Sequence, residues 1–338
     1  MKYKIFKGHN SYQLLQYLLL TKKEERFFIF TKKFLSSKIK NQIEKEYPTK
    51  VLYLLENEER NIFKKYLKKI YIDFYYSFYF TKKFSFLVNS ELLGDLINII
   101  YFQKICKISI LEDGLGTHKV LEIGLNKEKE YLKKYIKIVY NLLVFQNKEI
   151  DNYFSNKINN IYLSLLPQII YKKIDIHKIK ILNLNKYWKE NKTKSEKEEI
   201  LKIFYINDNL IKKIHKKKII LYTQPLSEDE IISEQEKIEL YSKIILQYPK
   251  EKLILKRHPR EITNYKNIFK DIFIIEENFP SEILELLEIR FEKVVTVFST
   301  AVLNIKSEGI DFYGTEVHPK LLKRFGSMDH IIKRNAFL

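Results

Sequence analysis

The sequence predicts an α/β protein built from two doubly wound domains, each a parallel sheet flanked by helices. Short β-rich runs alternate with amphipathic stretches along the chain, and this alternation restarts after a polar, charge-dense segment at Lys186 to Lys197. The length agrees, because 338 residues at about 150 per domain make two domains, each large enough to bury its own core.

The elements follow in order. Tyr3-Lys-Ile-Phe reads as a strand, Ser11 to Lys22 as a helix, Arg26-Phe-Phe-Ile-Phe as a strand, Ser36 to Glu46 as a helix and Val51-Leu-Tyr-Leu-Leu as a strand. A long aromatic helix runs from Glu59 to about Tyr76. It is followed by a strand at Phe84-Ser-Phe-Leu-Val, a helix at Glu91 to Lys104 and a strand at Lys107-Ile-Ser-Ile-Leu that runs into Glu112-Asp113-Gly114. Helical stretches near Lys127 to Phe145 and Ile150 to Leu165 close this half. The segment Lys186 to Lys197 is expected to link the domains, with Ser195 and Glu198 as a capping box opening the next helix. The boundary this gives is an N-terminal domain over 1–190 and a C-terminal domain over 191–338.

The second half repeats the plan. Strands are expected at Lys218-Ile-Ile-Leu-Tyr, Lys252-Leu-Ile-Leu-Lys, Ile272 to Ile275, Lys293-Val-Val-Thr-Val-Phe and Ile310-Asp-Phe-Tyr. Between them fall helices at Ser233 to Gln247, Ile262 to Phe269, Ser281 to Leu287 and Ala301 to Ser307.

Composition excludes several classes. Hydrophobic residues make up 45% and charged residues 30%, with eight Gly and seven Pro, which fits neither a disordered chain nor a fibrous repeat. The single Cys106 excludes an internal disulfide and a cysteine-based zinc site, and the spacing of the remaining histidines predicts no metal site. The opening residues lack an apolar region followed by a small-residue cleavage site, and the apolar stretches Leu14 to Leu20 and Ile70 to Phe80 fall short of the about 18 residues needed to cross a bilayer. The expectation is a cytoplasmic protein, with any membrane contact peripheral. A net charge of +19 would attract anionic partners, although lysine scattered through Ile/Asn/Lys-rich stretches accounts for much of it equally well.

In open α/β sheets, ligands bind beyond the carboxyl ends of the strands, so the residues just after each strand are the ones to examine. Lys256-Arg257-His258-Pro259-Arg260-Glu261 gathers three cations and an imidazole at one strand exit, with Pro259 fixing the turn. Such a cluster suits a phosphate, though a solvated basic loop has the same composition. Ser299-Thr300 closes an apolar strand and reads either as a plain cap or as an anion site at a helix start. In Glu112-Asp113-Gly114, repulsion between adjacent carboxylates can raise one pKa toward that of a general base, while an acidic turn is the simpler account. Glu282 opens a helix where a carboxylate could take hydrogen bonds from ribose hydroxyls. Gly8, His9 and Asn10 lie between the first strand and first helix, with Asn10 or Ser11 expected to cap it. Thr223-Gln224-Pro225 follows another strand. Gly114-Leu-Gly116 does not complete a dinucleotide-binding loop.

Together, Glu112-Asp113-Gly114, Thr223-Gln224-Pro225-Leu226, Lys256-Arg257-His258-Pro259-Arg260, Pro280-Ser281-Glu282 and Ser299-Thr300 resemble bacterial sialyltransferases, and the combination is most similar to glycosyltransferase family 52, the lipooligosaccharide sialyltransferases. The resemblance covers most of the chain and is strongest from Leu221 to Gly314; Gly8-His9-Asn10-Ser11 looks like the family's first strand-to-helix turn. It implies a GT-B fold, two Rossmann-like domains facing across a cleft, with an acceptor-side N-terminal and a donor-binding C-terminal domain. It further implies CMP-sialic acid as donor substrate, no cofactor, a galactose-terminated glycan or glycolipid as acceptor, inversion at the anomeric carbon, no metal, and a homodimer. Carried over by position, His258 is the acid at the CMP phosphate, Ser299 and Thr300 hold that phosphate, Glu282 holds the ribose, and Asp113, beside Glu112, is the base. Asp229 and Glu236 are the alternative bases in the C-terminal domain. Lys256, Arg257, Pro259, Arg260, Gly8, His9, Asn10, Thr223, Gln224 and Pro225 complete the expected donor surroundings. Arg257 departs from the small or neutral residue often found between Lys and His, and Thr300 from a second Ser. Two rival readings remain: a transferase of the same fold using another nucleotide sugar, such as a glucosyltransferase, and a basic non-catalytic nucleic-acid-binding protein. The reading adopted expects no nucleic-acid partner.

Overall fold

The computed structural model describes residues 3–8, 10–30, 35–53, 85–89, 108–112, 158–164, 175–299, 302 and 305–327. The chain divides into two compact units, Met1–Glu196 and Lys197–Leu338.

Unit 1 contains strands β1 (Lys4–Lys7), β2 (Arg26–Phe30), β3 (Val51–Tyr53), β4 (Ser85–Asn89), β5 (Ile108–Leu111), β6 (Ile158–Leu163) and β7 (Ile179–Ile181). They form one sheet in the order β3-β2-β1-β4-β5-β6-β7, every neighbouring pair parallel. The described helices are α1 (Ser11–Leu20), α2 (Ser37–Glu46) and α3 (Leu184–Glu190). Asn10 caps α1 by accepting from the Gln13 amide at 2.8 Å, and Ser36 caps α2 in the same way. Leu14, Leu15, Leu18 and Leu19 of α1 are buried, as are the strand residues Phe6, Phe28 and Ile29. At the start of β2 the fully buried Arg26 guanidinium donates to Thr21 Oγ1, the Tyr47 hydroxyl and the carbonyls of Leu18 and Thr21, so its desolvation is offset by fixed acceptors.

Unit 2 follows the same winding. Strands β8 (Ile219–Tyr222), β9 (Leu253–Lys256), β10 (Phe273–Ile275), β11 (Phe291–Thr296) and β12 (Ser307–Phe312) pair in parallel in the order β10-β9-β8-β11-β12. Strands β8 and β9 are buried throughout, as expected for the middle of a sheet covered on both faces. Helices α4 (Lys194–Ile203), α5 (Asp208–His215), α6 (Glu234–Ile245), α7 (Tyr265–Ile268), α8 (Glu282–Leu286) and α9 (Pro319–Phe325) complete the described elements. Tyr241, Ile244 and Ile245 of α6 pack with Leu221, Leu253, Leu255 and Val295 in one core. In both sheets the strand order reverses beside the first strand, between β1 and β4 and between β8 and β11. Those reversals are where a doubly wound sheet opens a crevice.

Five local expectations are corrected. The helix expected over Ile150 to Leu165 gives way to strand β6 over Ile158–Leu163. The linker expected at Lys186 to Lys197 is largely helical: α3 buries Trp188, and Lys192, also buried, donates its ammonium to the Thr21 carbonyl at 2.6 Å. The box that opens α4 is Thr193 with Glu196, two residues before the expected pair; the Glu196 amide donates to Thr193 Oγ1 and the Thr193 amide to Glu196 Oε2. The helix expected from Ile262 shrinks to α7, because the turn after β9 carries Ile262 into solvent, and Ser307 opens β12 rather than ending a helix. The expected helices at Glu59 to Tyr76, Glu91 to Lys104 and Lys127 to Phe145 lie outside the described residues. Among the described residues no helix is long and apolar enough to cross a membrane.

Candidate active site

The exits of β8, β9 and β11 lie side by side, since β8 pairs with both of the others. The chain leaves β9 through Arg257-His258-Pro259-Arg260, and the turn closes on Glu261. This carboxylate is buried, 3% exposed, and is the point where the exits are tied together. Its Oε2 accepts from Thr223 Oγ1 at 2.5 Å and from the His258 amide at 2.7 Å, while Oε1 accepts from the Tyr265 hydroxyl at 2.6 Å. One side chain thereby joins the end of β8, the turn after β9 and helix α7. Burial pushes the Glu261 pKa up, against the hydrogen bonds it receives and the Lys237 ammonium 4.0 Å away.

Lys237 itself is fully buried and reaches Glu228 at 2.9 Å and Glu234 at 3.0 Å. Glu228 in turn accepts from the Ile262 amide at 2.8 Å, so the loop after β8 and the turn after β9 share one ionic anchor.

His258 sits on this support. Its Nδ1 accepts from the Arg260 amide at 3.2 Å, which assigns the ring proton of the neutral imidazole to Nε2. Burial, then the positive charges of Arg260 and Lys256, push its pKa down to about 4. At neutral pH the side chain is therefore an uncharged Nε2–H donor set among cations. Lys256, at the end of β9, is buried with its Nζ 3.9 Å from the Phe279 ring centroid, and burial pushes its pKa down to about 7 despite Glu277 and Glu282 nearby. A phosphate approaching either group would draw protons back onto it.

Across the crevice, Gln224 Oε1 accepts from the Phe298 amide at 3.0 Å, joining the exits of β8 and β11. Thr296 Oγ1 accepts from the Ser299 amide at 2.9 Å, which sets the turn that carries Ser299. Pro225 accepts from the Asp229 amide, and the Asp229 carboxylate takes both terminal nitrogens of Arg260 at 2.5 and 2.9 Å. The structure thus brings together Thr223, Gln224, Pro225, Asp229, Lys256, Arg257, His258, Pro259, Arg260 and Ser299. Glu282 is buried at the start of the short helix α8, close enough to Lys256 to act on its charge.

Other candidates have different occupations. Glu236 closes the capping box of α6 with Ser233 and takes the Lys320 ammonium at 2.7 and 2.8 Å; these bonds hold its pKa down to about 2, so its carboxylate is occupied as a cap and an ion-pair partner. In unit 1, Glu112 is buried and accepts from the Ser164 amide and hydroxyl at 2.5 and 3.0 Å, so it ties the β5 and β6 exits together. Asn10 spends its Oδ1 on the cap of α1. Gly8 serves close packing, because a Cβ there would stand 2.3 Å from the buried Phe6 ring. His9, Asp113 and Thr300 lie outside the described residues.

Sequence reasoning passed over the roles of Glu261 and Lys237. The signal for Lys237 was present: it occupies a helical face otherwise filled by Leu240, Tyr241, Ile244 and Ile245, where a lysine requires buried carboxylates. For Glu261 the only signal was a carboxylate three residues beyond His258 in a proline turn.

Known proteins resemble the chain in sequence and in fold. The model of glycosyltransferase family 52 matches residues 23–321. An uncharacterized protein of Haemophilus influenzae is 33% identical over 327 residues, covering 95% of this chain and 97% of its own. Among solved structures, the GT-B domain of a sialyltransferase from Photobacterium damselae is similar with a TM-score of 0.54 at 14% identity, over 92% of this chain and 90% of that one. A longer structure of the Photobacterium enzyme gives the same TM-score at 15% identity, over 96% and 79% of the two chains. The solved structures share the GT-B fold, and the family match extends over both units: the chain belongs to glycosyltransferase family 52 and is a glycosyltransferase.

Proposed function

We propose that the enzyme is an inverting sialyltransferase that moves sialic acid from CMP-sialic acid to a terminal galactose of a lipooligosaccharide or related glycan without a metal. The observation that carries this reading is the neutral His258 imidazole, with Nε2–H as donor, beside Lys256 and across the crevice from Ser299. A transferase that uses no metal must neutralise the departing phosphate with its own donors, and this edge supplies them. The acceptor hydroxyl attacks the anomeric carbon as its proton passes to a carboxylate base. The bond from that carbon to the CMP phosphate oxygen breaks, and the Nε2–H of His258 hydrogen-bonds the oxygen that leaves with the electron pair, or the ring, protonated as the phosphate approaches, passes it a proton. Ser299 and Thr300 hold the phosphate and Glu282 the ribose. Asp113 is the base in this reading. Asp229, in the loop after β8, is the second candidate, favoured by its ion pair with Arg260 of the His258 turn, from which its charge acts on the imidazole.

The basic surface fits peripheral contact with anionic lipid at the cytoplasmic face of the inner membrane, near a glycolipid acceptor, with the enzyme working as a homodimer. A thermal-shift screen with CMP, UDP, GDP and their sugar conjugates, without metal, tests the donor. A shift confined to CMP and CMP-sialic acid, on the order of 2.7 kcal/mol at a hundredfold excess over Kd, is expected. A UDP-selective shift would replace the donor, and no shift with any nucleotide would overturn the reading. Asp113→Asn is expected to collapse turnover while leaving CMP affinity nearly unchanged; retained turnover would move the base to Asp229.

A further inference from the structure

We infer that Glu261 is a positioning residue for His258: by accepting the His258 amide and the Thr223 hydroxyl on one oxygen, it locks the turn in which the imidazole presents Nε2–H to the leaving phosphate. The inference rests on the proposed role of His258 and adds a residue that does not touch the substrate. Three features carry it. The carboxylate is buried and its bonds reach two neighbouring strand exits and α7, so it cannot move without moving the turn. The only main-chain link between the β9 exit and this carboxylate is at His258 itself among the described residues, which places the constraint on the residue doing the chemistry. The Arg260 amide that fixes the imidazole tautomer lies one residue before Glu261, inside the same closed turn, which the Glu261 amide completes by donating to the His258 carbonyl at 3.0 Å.

The role is one of reach rather than charge, and this separates it from a general electrostatic effect. Glu261→Gln keeps an oxygen in the Oε2 position for Thr223 and His258, and the Tyr265 hydroxyl can rotate to accept from the new amide. Glu261→Asp keeps the charge and withdraws the oxygens by one methylene. The expected order is therefore inverted from charge conservation: the Gln variant stays within about threefold of the parent in kcat, while the Asp variant loses roughly tenfold to a hundredfold, since small misplacements of a reacting group cost on this scale. KM for the donor changes less than kcat in the Asp variant, because the phosphate retains its other donors.

The experiment has two arms. Long-range proton–nitrogen correlation of the imidazoles, with His258 assigned by its loss in His258→Ala, reports the tautomer without any nucleotide. The parent and the Gln variant are expected to show the Nε2–H form, and the Asp variant a mixture. Unchanged His258 signals in Glu261→Asp would overturn the inference whatever the donor proves to be. The second arm is a double-mutant cycle of Glu261→Asp and His258→Ala, read in CMP affinity and kcat. Coupling, with little further loss when His258 is already absent, supports positioning; equal losses in both backgrounds would overturn it. If His258→Ala alone changes neither CMP affinity nor turnover, the proposed function fails instead, and the tautomer arm still decides the role of Glu261.

Discussion

The two units wind their sheets in the same order about the first strand, yet they treat the carboxyl edge differently. In unit 1 the described polar groups at that edge bond to their own scaffold: Asn10 to the first turn of α1, Glu112 to Ser164, and Gln16 to the Glu112 carbonyl at 2.9 Å. In unit 2 the scaffold bonds are made by Glu261, Gln224 and Thr296, and they hold His258 and Ser299 in place on turns. The comparison teaches that topology locates the edge, while the division of labour among its residues decides whether that edge can act on a ligand.

Breaking the unit 2 edge has the largest expected effect. His258→Ala should lower turnover by roughly 10²–10⁴-fold with the fold intact and weaken CMP binding, measured by steady-state kinetics and nucleotide-induced thermal shift. Lys237→Ala strands the Glu228, Glu234 and Glu261 carboxylates, and removing one partner of a buried ionic cluster costs about 3–5 kcal/mol, read from urea unfolding. The pH dependence sharpens the contrast. Because the folded His258 pKa of about 4 lies below the ordinary 6.5, the unfolded chain binds the proton first as pH falls. The stability contribution is complete above pH 6.5 and is lost toward pH 4, by no more than roughly 3 kcal/mol. Chemical denaturation across that window should show a slope that His258→Ala removes; an identical slope in the variant would place the imidazole in solvent. The smallest effect belongs to the described scaffold of unit 1: Glu112→Gln should cost about 1–3 kcal/mol of stability through its Ser164 bonds and reduce turnover far less than His258→Ala. An equal collapse of turnover would erase the distinction between the two edges.

Much of the fold is legible in the sequence, for a physical reason. Strands buried on both faces are short continuous apolar runs, and Ile219-Ile-Leu-Tyr and Leu253-Ile-Leu-Lys stand out as such. Strand β6 does not, because Asn159 and Asn160 interrupt its apolar run and leave a pattern that also fits a helix turn. Strand β7 is too short to show a period. The site was legible as a set of positions, since doubly wound sheets place ligands at strand exits, and residues after β8, β9 and β11 do come together. The partner of each residue was not legible. That Glu236 belongs to a cap and Lys320, or that Glu261 serves Thr223 and His258, depends on side chains converging from segments far apart in the chain.

The pairing of β8 with β11 also sets when the site appears during folding. Gln224 and Phe298, which join these exits, are 74 residues apart in sequence, with β9 and β10 between them. Closing that span costs chain entropy before the contact returns any stabilisation, so the central pair forms only once the intervening segment has begun to order. A chain stopped short of β11 would lack the wall that Gln224 meets through the Phe298 amide. The candidate edge is thus assembled from segments that span most of the unit 2 sheet, and it is complete only when that sheet is.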